Sequence, residues 1–192
     1  EFFRTARDLC DERGSLFIVD EVQTGIGRTG NWFGFQHMGV VPDIVTLAKA
    51  LGGGFPIGAC LTTCELAATF KPGAHGTTFG GNPLACAVAR TVIETIKEEG
   101  LVDRSASLGE RWSQELRSLA VGGGLIKEVR GKGLMIGLEM GEEAKHFQEY
   151  ALGEGILVNV TGGKIVRMVP PLIVSDDSVS KTNDVLKAFQ DR

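Results

Sequence analysis

Three short apolar runs, each ending beside a polar or small residue, constrain this chain more than any other feature. Leu16-Phe17-Ile18-Val19 closes on Asp20, Ile44-Val45-Thr46-Leu47 is followed two residues later by Lys49, and residues 57–62 form the third run. Runs of this length are strands, and an unbroken apolar stretch is how a buried parallel strand reads. Open α/β sheets gather their ligands at the C-terminal strand ends. The expected class is therefore α/β, with an acid and an amine delivered to one rim of a sheet.

Helical signals separate and follow these runs. Phe2, Phe3, Ala6, Leu9 and Cys10 fall on one helical face, and Gly14 stops that element. Asn82-Pro83 offers an N-cap and a proline at the first helical position, Leu84, Val88, Val92 and Ile96 recur every four residues, and Gly100 closes the helix. Leu108, Trp112, Leu116 and Leu119 mark another helix, after which Gly122-Gly123-Gly124 break the chain. Strands are then expected over 126–130 and 134–140 around Gly131-Lys132-Gly133, a helix near 142–153, and strands near 156–160 and 164–169. A last helix starts at the Ser175-Asp176-Asp177 cap. The pattern changes from α/β to α+β, which places a domain boundary near residue 100, with domains 1–100 and 101–192.

Bulk properties exclude several classes. Glycine supplies 27 of 192 residues, twice the ordinary share of about 7%, without a collagen period. The net charge is −4 with no basic block, so nucleic acid is a poor partner. No apolar run has the length of a membrane span. Cys10, Cys60, Cys64 and Cys86 form no C-x-x-C pair and are too sparse for a disulfide scaffold, and His37, His75 and His146 show no metal-ligand spacing. Buried free thiols in a reducing cytosol and no metal are expected, with His75 making a loop hydrogen bond. The start, Glu1-Phe2-Phe3-Arg4, has no signal-peptide layout.

Two segments carry candidate chemistry. Gly25-Ile26-Gly27-Arg28-Thr29-Gly30 is a literal G-x-G-x-x-G, but four residues separate it from the strand, and Asn31-Trp32-Phe33 does not open a helix. A glycine-rich loop accounts for it better than a dinucleotide site. The other is the Asp20/Lys49 pair. Lys49 lies among apolar and small residues, where desolvation would disfavour its charge and leave an amine able to attack a carbonyl. An acid opposite would keep a pyridine nitrogen protonated, and the two together suit pyridoxal phosphate.

Asp20-Glu21-Val22-Gln23-Thr24-Gly25, residues 42–54 around Lys49, and His75-Gly76-Thr77-Thr78-Phe79-Gly80-Gly81-Asn82-Pro83 resemble, in order, three segments of the class III (subgroup II) aminotransferases of fold type I. Val129-Arg130-Gly131-Lys132-Gly133 and Val166-Arg167-Met168-Val169-Pro170-Pro171 extend the resemblance over essentially the whole chain. It implies an α/β fold: the second half of the large cofactor-binding domain, followed by a small α+β C-terminal domain. It also implies pyridoxal 5′-phosphate bound through Lys49 as a Schiff base, with Asp20 on the ring nitrogen, Gln23 on the ring-hydroxyl side and Val22 on the ring face. Thr78, with Thr77 beside it, would reach the phosphate in the partner subunit of a homodimer. Arg167 would clamp a substrate carboxylate. Arg130 is left structural.

The implied reaction moves the terminal amino group of N-acetylornithine, or a similar ω-amino donor, to 2-oxoglutarate, giving glutamate, in cytoplasmic arginine biosynthesis. Ornithine, succinylornithine and 4-aminobutyrate are alternative donors, and a glutamate semialdehyde aminomutase fits less well. Members of that family are about twice this length, so the sequence reads as a C-terminal portion, with weak or absent turnover expected in isolation. A non-catalytic truncated paralogue is the alternative from another class, and a dinucleotide-binding oxidoreductase rests only on the glycine motif.

Overall fold

The structure is a computed structural model describing residues 1–120 and 124–192; Gly122 and Gly123, of the expected glycine break, lie outside the described residues. The chain divides into two compact units, one of Glu1–Gly27 with Asn31–Gly100, the other of Arg28–Gly30 with Leu101–Arg192.

In the first unit, helix α1 (Phe2–Arg13) ends at Gly14, whose left-handed backbone returns its N–H to the last turn. Strands β1 (Ile18–Asp20), β2 (Ile44–Leu47) and β3 (Ala59–Thr62) form one sheet in the order β1-β2-β3. β1 and β2 are parallel, as the apolar runs suggest, with Asp20 opposite Thr46. β3 departs from expectation: it runs antiparallel to β2, and the strand takes up only Ala59–Thr62 of the run. β1 differs too. Val19 is buried, but Ile18 is 56% exposed on this edge strand, so the run is one-sided rather than buried on both faces.

A short helix α2 (Cys64–Ala67) precedes α3 (Pro83–Glu98). The Asn82 side-chain oxygen accepts from the N–H groups of Leu84 and Ala85, and Pro83 opens the helix as its sequence requires. The buried residues of α3 are Ala85, Ala89 and Ile96; of the four-residue series Ile96 is buried, Val88 and Val92 are half-buried, and Leu84 is 61% exposed. α3 lies against the 3-10 turn Lys49–Gly52 and its cap Gly53, where a Cβ would come within 2.9 Å of Val92. Small side chains permit that approach.

The second unit is a sheet covered on one face by helices. Strands β4 (Glu128–Lys132), β5 (Met135–Glu139), β6 (Asn159–Thr161) and β7 (Ile165–Met168) are all antiparallel, in the order β4-β5-β7-β6. Helices α4 (Leu101–Leu119), α5 (Glu143–Gly153) and α6 (Asp176–Gln190) supply the other layer. Leu116, Phe147 and Leu186 meet Leu138 and Val166 in a core where all five are fully buried. Period-two alternation puts Glu128, Arg130, Lys132, Glu139, Asn159 and Arg167 on the other sheet face, with Met135 and Ile165 among them. Within the core, Trp112 Nε1 donates to Asn183 Oδ1 (2.8 Å), and the Asn183 amide donates to Glu115 (2.8 Å). α6 starts on Ser175 as expected, its Oγ accepting from Ser178 N–H.

The segment Arg28–Gly30 is stitched into this unit. Leu134 N–H (3.0 Å) and Ser105 Oγ (3.0 Å) both donate to the Arg28 carbonyl. The Arg28 guanidinium donates to the carbonyls of Leu134 and Pro170, and burial pushes its pKa below the ordinary arginine value. Gly133 is obligatory here: its φ is +52° and a Cβ would collide with the Thr29–Gly30 backbone.

One ion pair makes the first unit acid-sensitive. Arg7 Nη1 (2.8 Å) and Phe17 N–H (2.7 Å) both donate to Asp43 Oδ2. These donors, led by the Phe17 amide, hold the Asp43 carboxyl below the usual carboxylate range. A carboxyl depressed by folding adds stability that is present above its unfolded pKa and lost as pH falls through the folded one. Thermal melts should therefore fall more steeply below about pH 4 in the native protein than in Asp43→Asn. Parallel curves would remove Asp43 from that role.

Candidate functional site

Two expected residues lie along one rim. The parallel pairing of β1 and β2 puts Asp20 at the C-terminal end of one strand and Lys49 just past the same end of its neighbour. Asp20 Oδ1 accepts from Val22 N–H (2.9 Å), an Asx turn that folds the chain back immediately after the strand. Val22 is half-buried and Gln23 exposed in the turn that follows.

Lys49 has an unusual backbone. Its φ is +43°, a left-handed conformation that a non-glycine residue adopts at a cost of about 1–3 kcal/mol. The residue opens the Lys49–Gly52 3-10 turn, which Leu51 and Gly52 anchor by burial. Lys49 itself is exposed in this chain. Its apolar neighbours alternate inward while Lys49 turns out at the strand end.

Glu21, next to Asp20, organises the rim and is a residue that sequence reasoning overlooked. It is 2% exposed. Its carboxylate accepts from Gly34 N–H (2.9 Å), Phe35 N–H (2.7 Å) and Thr24 Oγ1. Its main chain joins in, with the N–H donating to Thr46 and the carbonyl accepting from Gly25 N–H, both at 2.9 Å. One buried acid thus fixes both ends of the loop that carries Val22 and Gln23. The only available signal was its place between a strand-ending acid and Thr24.

Thr77 and Thr78 lie exposed in the connection between α2 and α3 of the same unit, beside Phe79, which is 81% exposed. His75 packs its ring edge-on against Phe70. Arg167 belongs to the second unit, on β7, where its Nη2 donates to Asn159 Oδ1 (3.1 Å) and it lines a cavity of about 650 Å³ with Trp112, Met168, Pro170 and Lys181. Arg130 pairs with Glu128 (2.5 Å) and Glu139 (3.3 Å), a structural ion cluster. The expectation of buried thiols is corrected: Cys60, Cys64 and Cys86 are exposed and Cys10 half-buried, because each lies on an open face of its element. Among the described residues no helix is long and apolar enough to cross a membrane.

Comparison with known proteins defines the class. The family model described as aminotransferase class-III matches residues 1–189. The chain is 50% identical over 179 residues to acetylornithine aminotransferase of Corynebacterium efficiens, covering 93% of this chain and 43% of that protein. It is 47% identical over 187 residues to acetylornithine aminotransferase of Caldanaerobacter subterraneus subsp. tengcongensis, covering 97% and 47%. Among solved structures, ornithine aminotransferase of Toxoplasma gondii, with pyridoxal phosphate partly occupying its active site, superposes with a TM-score of 0.92 at 37% identity, covering 98% of this chain and 46% of that one. Acetylornithine aminotransferase of Elizabethkingia anophelis gives 0.91 at 37% identity, covering 98% and 49%.

The chain belongs to the class-III aminotransferase family, and its fold is the α/β fold type I of pyridoxal-phosphate-dependent aminotransferases. It spans just under half the length of these relatives.

Proposed function

We propose that the protein carrying this chain is a pyridoxal-phosphate-dependent aminotransferase that moves the terminal amino group of N-acetylornithine to 2-oxoglutarate. The observation that carries this reading is the carboxylate and primary amine at one rim of parallel strands, Asp20 and Lys49, in a chain of this family. The donor assignment draws on the acetylornithine aminotransferases among the relatives.

The residues present fit the cofactor: an acid and an amine share the rim, and Lys49 is held in a backbone conformation that the turn imposes. When bound, pyridoxal phosphate supplies an electron-poor ring that accommodates the electron pair left as the substrate carbon loses its proton. Lys49 would hold the cofactor through Nζ, and the same amine, when free, would take a proton from the substrate carbon and return one during the transfer. Asp20 would keep the ring nitrogen protonated. Gln23 would hydrogen-bond beside the ring hydroxyl, and Val22 would pack on the ring face. Arg167 grips a substrate carboxylate in a two-pronged contact. Thr78, with Thr77, reaches the phosphate held by the partner subunit of a homodimer.

In this reading residues 1–100 are the C-terminal part of the cofactor-binding large domain, and residues 101–192 the small α+β domain. The protein works in the cytoplasm, in arginine biosynthesis. The chain by itself turns over weakly or not at all, so the test uses the full-length protein loaded with cofactor. N-acetylornithine, ornithine, succinylornithine and 4-aminobutyrate are compared as donors to 2-oxoglutarate. The expected result is a kcat/KM for N-acetylornithine at least about tenfold above the others. A higher value for another donor reassigns the substrate, and no transfer from any donor favours a non-catalytic paralogue.

A further inference from the structure

The parallel pairing of β1 with β2 sets Asp20 directly opposite Thr46, and β3 continues the row with Cys60. Paired residues share a face, so the Asp20 carboxylate and the Thr46 hydroxyl stand on the same side of this sheet. It is the open side. Val19, Val45 and Leu47 are buried on the other, whereas Asp20 is exposed and Thr46 half-buried. The register is pinned at this point, because the N–H of Glu21, next to Asp20, donates to the Thr46 carbonyl at 2.9 Å. Neighbouring strands lie about 4.8 Å apart, a gap that a threonine hydroxyl and an aspartate oxygen can bridge with one hydrogen bond.

The hydrogen bonds already made leave this match open. Asp20 Oδ1 accepts from Val22 N–H at 2.9 Å, and a carboxylate has acceptor capacity for more. Thr62, on the same face, donates its hydroxyl to the Asp43 carbonyl at 2.9 Å. Among the described residues the Thr46 hydroxyl has no such acceptor. A β-branched residue suits a strand whatever its polarity, so the hydroxyl is what threonine adds over valine here. A hydroxyl donor orients a carboxylate without bringing a cation that would compete with a protonated ring nitrogen.

We propose that Thr46 is a positioning residue whose hydroxyl donates to the Asp20 carboxylate and holds it toward the ring nitrogen of the cofactor. This rests on Asp20 being the ring-nitrogen partner, and the test separates the two claims. In full-length protein, the Kd of pyridoxal phosphate is measured alongside the pH midpoint of the bound cofactor's visible absorbance change. Thr46→Val keeps the shape and the strand preference and deletes only the hydroxyl. It is expected to raise Kd about tenfold. It should also move the midpoint up by about half a pH unit, because a ring that holds its proton less firmly draws less charge from the attached nitrogen. Thr46→Ser keeps the hydroxyl and is expected to stay within about threefold of the native Kd, with the midpoint restored. Melting temperature serves as the fold control, and Asp20→Asn is the reference. If Asp20→Asn raises Kd while Thr46→Val leaves it within about twofold and the midpoint in place, the positioning role is wrong and the Asp20 reading stands. If Thr46→Ser fails as badly as Thr46→Val, packing rather than the hydroxyl is at work, and the role is also wrong. If Asp20→Asn itself changes neither quantity, the Asp20 reading falls and the inference falls with it.

Discussion

Replacing Lys49 with alanine is expected to lower kcat of the cofactor-loaded, full-length protein by a factor of about 10³ or more. The proposed mechanism uses this amine both to hold the cofactor and to carry the proton, and no neighbouring group on the rim duplicates it. Lys49→Arg should not rescue, because a guanidinium stays protonated and is a poor nucleophile. Lys49→Gly separates function from folding. Lys49 sits at φ +43° with its side chain exposed, so glycine removes backbone strain and little packing. That variant should be as inactive as the alanine one, yet up to about 1 kcal/mol more stable in denaturant melts. A residue kept where glycine fits better is kept for its side chain. Residual activity within about tenfold of the native protein would remove Lys49 from the chemistry.

Glu21→Ala should be the most damaging substitution for stability at the rim. It deprives Gly34 N–H, Phe35 N–H and the Thr24 hydroxyl of their shared acceptor at a position only 2% exposed. The expected cost is on the order of 3 kcal/mol by urea denaturation, and cofactor affinity should fall with it because Val22 and Gln23 ride on the same loop. Glu21→Gln should recover only part of this. Its single oxygen serves one amide, and its NH₂ group faces a second donor. A neutral alanine variant would show that the loop closes without the carboxylate.

Local chemistry was legible in the sequence where one residue type has one use. Asn82 and Ser175 cap the helices they announce, and Gly14 closes α1. The rim itself, Asp20 with Lys49, was readable because each follows directly from a strand end. What failed depended on neighbours distant in sequence. Nothing within residues 57–62 tells the direction in which β3 pairs, since one strand's composition serves either. The series Leu84, Val88, Val92 and Ile96 drifts around a helix of 3.6 residues per turn, so Leu84 comes out exposed while Ile96 is buried, and Ala85 and Ala89 join it on the packed face. Glu21 reads as a surface acid until the loop that buries it is in place.

The central claim, that this chain carries the attachment point of a pyridoxal phosphate cofactor, is tested most directly by chemical trapping. The full-length protein is incubated with pyridoxal phosphate, reduced with borohydride, digested and mapped by mass spectrometry. The account predicts one stable pyridoxyl adduct, on Lys49. Labelling scattered over surface lysines, or a homogeneous product that leaves Lys49 unmodified, would contradict it.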